Sequence, residues 1–156
     1  MKAPDSIVQL VEHFHSLIEL YWAGGINETQ TRIEFINPLF AALGWDIGNE
    51  RQISDIYKDV VHEDSLKISD ANKAKAPDYS FRVGGVRKFF VEAKKPAVNV
   101  GQNMSAAFQV RRYGWSAKLA LSILTDFEEF AVYDCRIMPN KNDSASVARI
   151  KHFNYT

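Results

Sequence analysis

The chain is poor in the features that most quickly assign a protein to a class. It has one cysteine, Cys135, among 156 residues. An internal disulfide framework is therefore excluded, as is a thiolate-rich zinc site, and Cys135 is expected to fill space in a strand. No apolar run approaches the roughly 18 residues that span a bilayer, and no charged-then-apolar segment opens the chain as a secretion signal. Those absences point to a soluble, cytoplasmic protein. Internal repeats and low-complexity linkers are missing too. There is no excess charge of either sign, 19 basic residues balancing 19 acidic ones, which at first argues against a nucleic-acid partner. What is present, 46% hydrophobic and 24% charged residues, suits one packed domain.

The distribution of charge reverses the first impression. Between Arg87 and Lys118 stand seven basic residues and one acid, Glu92, a net of +6, while the other 12 basic and 18 acidic residues leave −6. A basic segment on an acidic body suits a polyanion site, although a solvated basic face without a partner has the same composition.

Residues 6–22 carry Ile7, Leu10, Val11, Phe14, Leu17, Ile18 and Tyr21 at helical spacing, and Gly24-Gly25 ends that helix. Asn27 with Gln30 forms a capping-box pattern that opens a second helix, running to Leu43. Its apolar stripe is Ile33, Ile36, Leu39, Phe40 and Leu43, with Pro38 expected to kink it or begin a fresh turn. Residues 46–75 are polar and poorly periodic, read as a weak strand near 52–57 and an exposed loop. Alternation over 79–83, a Gly84-Gly85 turn and the β-rich run 88–94 predict a hairpin. A helix over 104–116 follows, then a strand buried on both faces at 119–125, a strand at 129–135 and an edge strand at 147–153. The order predicts an α/β fold, a mixed sheet flanked by helices.

Chemistry concentrates in the hairpin. Glu92 and Lys94 lie two apart on one strand, so they share a face, and the fold-back can bring Asp78 beside them. A Glu-x-Lys alone is an ordinary salt bridge on a solvated sheet face. Here it is embedded in Phe89-Phe90-Val91 and Ala93, where charge costs several kcal/mol unless paired or metal-bound. Two carboxylates are the hard oxygen ligands that Mg²⁺ prefers, and the adjacent lysine can stabilise developing negative charge or position an attacking water. Hydrolysis of a phosphodiester is the implied reaction.

Pro77-Asp78 followed by Glu92-Ala93-Lys94 resembles the signature of PD-(D/E)XK nucleases, and Gln109-Val-Arg-Arg-Tyr113 resembles the QxxxY motif of a subset of them. That subset includes the nuclease domains of type I restriction subunits, RecB-type nucleases and some type IIG restriction-modification enzymes. Residues 27–46 and 112–130 are also similar to such domains, so the resemblance covers roughly residues 27–134. It implies a restriction-endonuclease-like mixed sheet. It further implies Mg²⁺, with Mn²⁺ as a substitute, bound by Asp78, Glu92, the Ala93 carbonyl and an acid of the opening helix at the place of Glu34. Lys94 would orient or activate the water, and Gln109 and Tyr113 would support the site. Lys95, Arg111 and Arg112 would contact double-stranded DNA, with one of the two arginines reaching phosphates and the other solvated. By the same resemblance residues 1–156 form a single nuclease domain, an N-terminal part of a longer protein. Methyltransferase and target-recognition domains would lie downstream, and double-strand cleavage could involve a transient homodimer.

Two other readings stay open: a RecB-like or structure-specific repair nuclease, and a catalytically silent DNA-binding or assembly module on the same fold. Other patterns carry less. His13 and His15 diverge on their helix and make no metal pair. The Gly-Gly pairs lack the surroundings of a phosphate loop. Asn37-Pro38-Leu39-Phe40 lacks the second proline of the adenine-methyltransferase tetrapeptide. Trp22, Trp45 and Trp115 read as core and not as base-stacking platforms.

Overall fold

Asn27 starts the second helical stretch as its capping box dictates. Its side chain accepts the Gln30 N–H at 2.7 Å, and the Gln30 side chain accepts the Asn27 N–H at 3.1 Å. The computed structural model describes residues 2–65 and 75–156. Their order is α1 (Asp5–Ser16), α2 (Ile18–Trp22), α3 (Glu28–Thr31), a π-helical turn (Arg32–Ile36), α4 (Asn37–Ala42), β1 (Val60–His62), β2 (Tyr79–Val83), β3 (Val86–Ala93), α5 (Met104–Ser116), β4 (Leu121–Thr125), β5 (Glu129–Asp134) and β6 (Arg149–Asn154). The strands form one six-stranded sheet in sequence order. All neighbours are antiparallel except β3 and β4, which run parallel and are joined across the sheet by α5, the crossover that a parallel pair requires. This is the α/β, restriction-endonuclease-like arrangement expected from the sequence. Among the described residues no helix is long and apolar enough to cross a membrane.

Two cores cover the two sheet faces. On one, Phe14, Tyr21, Phe35, Ile36 and Phe40 from the helices meet Tyr79, Phe81, Val91 and Phe127. On the other, Ala106, Ala107 and Val110 of α5 pack on Leu124, Ala131 and Tyr133, and Tyr113 packs on Phe90. Strand alternation therefore assigns Phe90 and Glu92 to the α5 face and Val91 and Ala93 to the other. Helix and sheet approach closely at Gly114, where a Cβ would stand 2.4 Å from Cys135 Sγ and 2.8 Å from Ser122 Oγ.

Several expectations are corrected. The first helix breaks at Leu17, whose backbone (φ −117°, ψ 15°) is not helical. Pro38 begins a fresh turn, as one of the two expected alternatives had it: it stands in the first turn of α4, after a π turn closed by the Asn37 N–H on the Arg32 carbonyl. Proline has no N–H and its ring crowds the carbonyl four residues back, so widening the preceding turn removes both problems. The inserted residue shifts the stripe: Thr31, Phe35, Ile36, Leu39 and Phe40 are buried, and Ile33 is 61% exposed. No strand forms at 52–57. There Asn49 Oδ1 accepts the Ile53 N–H and Asn49 Nδ2 donates to the Ile53 carbonyl. Asp46 likewise accepts the N–H groups of Glu50 and Arg51, so side chains close turns in place of a ladder. The sheet instead begins at β1. The predicted loop lies partly outside the described residues. Trp22 and Trp115 are exposed, not core, and Trp22 donates to Glu128.

Candidate active site

The hairpin register builds the candidate site. Tyr79 pairs with Val91, so one residue further Asp78 lies opposite Glu92, at the end where the strands part. There the side chains replace the backbone ladder. The Asp78 N–H donates to Glu92 Oε2 at 3.2 Å, and the Ala93 N–H donates to Asp78 Oδ2 at 2.8 Å. Both acids are buried, at 9% and 5% exposure. Burial, and then the neighbouring Asp78, push the Glu92 carboxyl up to about 8. A low-dielectric setting disfavours charge, and two carboxylates in one place disfavour it again.

Cations surround the pair. Lys94, just past β3 on the Glu92 side and half-buried, opposes the rise of both Glu92 and Glu28. Arg32, on the π turn, reaches from the helical side, with Nη1 3.4 Å from Asp78 Oδ1 and Nη2 3.4 Å from the Asp78 carbonyl. Its guanidinium lies over the Tyr79 ring at 4.8 Å. A cleft of about 420 Å³ opens beside these groups, lined among others by Asn27, Glu28, Lys94, Lys95, Asn103 and Gln109. It lies where the helical stretch begun by Asn27 and the Asn103-capped helix α5 approach the carboxyl ends of the parallel strands, the usual location of sites in open α/β sheets. A roomier hollow, about 490 Å³, lies on the α1 and α4 side of the sheet. Its walls are almost wholly apolar and bring no reactive groups together.

On α5 the Gln109 side-chain amide donates to the Tyr113 hydroxyl at 3.0 Å. Tyr113 is raised by burial and then by Glu92, which puts the QxxxY side chains next to the acids. Asp78, Glu92, Lys94, Gln109 and Tyr113 are therefore brought together, with Lys95 at the cleft rim. Arg112 is half-buried over the Phe108 ring at 5.8 Å.

Two expected site residues are elsewhere. Arg111 is neither solvated nor available to phosphate: it is 1% exposed, donating to Asp143 Oδ2 at 2.7 Å and to the Met138 carbonyl at 3.3 Å. Its partners come from a loop some thirty residues on, which no local pattern announces. Glu34 sits exposed on the π turn with Tyr21 as its electrostatic neighbour. The acid that the helical stretch sets against the pair is Glu28, raised by burial and then by Asp78. Glu28 and Arg32, four apart on one helical face, went unnoticed; their signal was their place immediately after the Asn27 cap.

Two buried carboxylates and a main-chain carbonyl at Ala93 suit a hard divalent cation that keeps waters and substrate oxygens as its other ligands. The raised Glu92 fits this, because a nearby dication is what would let both acids ionise. Among the described residues no three His, Cys, Asp or Glu side chains converge as a complete ligand cluster, so the chain would supply few of the ligands.

No family model matches the chain, and no solved structure matches it. Over all 156 of its residues it is 41% identical to the Type II restriction enzyme and methyltransferase RM.Eco57I of Escherichia coli, of which it spans 16%. The chain is thus related to one segment of a protein that combines a restriction enzyme with a methyltransferase.

Proposed function

We propose that this chain is a Mg²⁺-dependent endonuclease domain that hydrolyses phosphodiester bonds of double-stranded DNA, the cleavage module of a type IIG-like restriction-modification enzyme. The observation that carries the reading is the buried Asp78–Glu92 pair at the parted strand end with Lys94 beside it. The 41% identity to a segment of a restriction enzyme and methyltransferase supports it. Asp78 and Glu92, with the Ala93 carbonyl, would hold the cation, which supplies Lewis-acid neutralisation of the scissile phosphate when bound. Lys94 orients the attacking water and stabilises the charge that develops on the phosphate oxygens. Tyr113, hydrogen-bonded by Gln109, fixes the Glu92 side of the site. Lys95 and Arg112 neutralise the DNA backbone, a contribution that weakens as salt rises. Methyltransferase and target-recognition domains belong to the remainder of a longer cytoplasmic polypeptide, and sequence specificity resides there.

The test is plasmid nicking with Mg²⁺ or Mn²⁺ by the wild-type protein, Asp78→Ala and Lys94→Ala, alongside Mn²⁺ titration of each. Loss of more than about a hundredfold in cleavage by both variants is expected, with Mn²⁺ binding lost only in Asp78→Ala. Equal cleavage by all three proteins, or Mn²⁺ binding indifferent to Asp78, overturns the assignment.

A further inference from the structure

Asp78 is held by two kinds of partner. Oδ2 takes the Ala93 N–H, whereas Oδ1 faces the Arg32 guanidinium at 3.4 Å. Side-chain exposure at that ion pair is 17% for Arg32 and 12% for Asp78. Arginine stays charged in any protein setting. Its own position is fixed three ways, by Asp78 Oδ1, by the Asp78 carbonyl and by the Tyr79 ring. Tyr79 is itself tied to the helix by donating to Asn37. The carboxylate oxygen left unclaimed by the backbone therefore already has a cation.

We infer that Arg32 is a built-in counter-ion that occupies Asp78 until a divalent metal displaces it, so that it sets the metal affinity of the site. The inference rests on the metal-dependent reading above. In the metal-free protein Arg32 pairs with the buried Asp78 carboxyl and holds its orientation, the partner that burial of an acid calls for. A metal approaching Asp78 Oδ1 meets a like charge at the same oxygen, and binds by exchanging one cation for another. The Tyr79 face gives the displaced guanidinium an aromatic surface to remain on. The role is one of positioning: Arg32 acts on the reaction only through Asp78.

The experiment compares Mn²⁺ affinity, by electron paramagnetic resonance or calorimetry, in wild type, Arg32→Gln and Arg32→Lys, with melting temperatures alongside. Removing one unit of positive charge at this distance is expected to tighten Mn²⁺ binding about tenfold in Arg32→Gln, and by no more than about threefold in Arg32→Lys, which keeps the charge. Without metal Arg32→Gln melts below wild type, and saturating Mn²⁺ narrows the gap. In the wild-type protein, Mg²⁺ titration shifts the Arg32 side-chain N–H resonance, a readout independent of how the variants fold. Unchanged or weaker Mn²⁺ binding by folded Arg32→Gln, or an Arg32 resonance indifferent to Mg²⁺, overturns the inference while leaving the metal site standing. Absence of Mn²⁺ binding by wild type overturns both.

Discussion

The ends of β3 and β4 lie side by side, Ala93 pairing with Thr125, and each carries a buried acid raised to about 8 chiefly by burial, Glu92 on one and Asp126 on the other. Arg32 stands against the acids of the first, and a second buried cation elsewhere on the sheet, Arg111 of α5, is matched by Asp143. The surroundings of the two raised acids differ. Asp126 Oδ1 accepts the Glu129 N–H at 2.8 Å while Thr125 bonds the Glu129 carbonyl and the Phe127 N–H, so the acid is a piece of the β4–β5 turn. Arg111 likewise joins α5 to the loop of Asp143. Glu92 has a second buried carboxylate, Asp78, opposite it and Lys94 on its own side of the strand, whereas the acids beside Asp126, Glu128 and Glu129, are taken up by Trp22 and His152. A raised acid is thus common to both strand ends, and what separates a candidate site from a structural joint is whether the groups around it are already satisfied by one another.

That contrast can be broken most strongly at the arginines. Arg111→Ala should lower stability by about 3 kcal/mol in urea denaturation, through the cavity left by a fully buried side chain, and leave Mn²⁺ affinity unchanged. An altered affinity would erase the distinction between the two regions. Gly114→Ala should cost about 1–3 kcal/mol by forcing α5 off Cys135 and Ser122, and it sharpens the view that α5 seats Tyr113 by close packing. Cleavage should fall with stability here, since Tyr113 directly precedes the displaced residue.

A further expected effect is one of pH. Both acids have folded-state values raised above their ordinary 3.8 and 4.5, so between about 4 and 8 the folded protein binds protons that the unfolded chain has lost. Their contribution is fully present at the acid end and is lost as pH rises through the folded values. Each therefore contributes a fall in stability with rising pH, of at most about 1.4 kcal/mol per pH unit. Asp126→Asn should remove its share of that slope with or without metal. Saturating Mg²⁺ should remove only the share of Glu92. A Mg²⁺-insensitive slope in Asp126→Asn would mean that Glu92 does not titrate in contact with metal.

The hairpin was legible because a strand has a period of two and Gly84-Gly85 marks its turn, but the opposition of Asp78 and Glu92 was not, because the register shifts between Phe81 and Arg82 and counting from the turn alone would set Asp78 against Val91. The Asn27–Gln30 cap was legible because its bonds are local. Legibility failed where geometry departed from a regular period or where the partner was remote. Ile33 was assigned by a period of 3.6 that the π turn interrupts, and Glu34 by a family position that falls on that same turn. Residues 52–57 have strand-like composition, yet Asn49 and Asp46 capture the backbone first. Arg111 belonged to a basic cluster in sequence, and only the tertiary fold, by bringing Asp143 to it, takes it out of the solvent.

The π turn between Arg32 and Ile36 has a consequence for how this helical stretch can evolve. One extra residue advances the later turns by about 100°, so the segment before it and the segment after it answer to different faces of the protein. Phe35, Ile36, Leu39 and Phe40 are constrained by the core, while Glu28 and Arg32 are constrained by the strand end. Removal of a single residue from the turn would preserve every apolar side chain of α4 in its socket and rotate Glu28 and Arg32 away from Asp78. A frame of this kind makes the length of the stretch, and not only its composition, a property on which function depends.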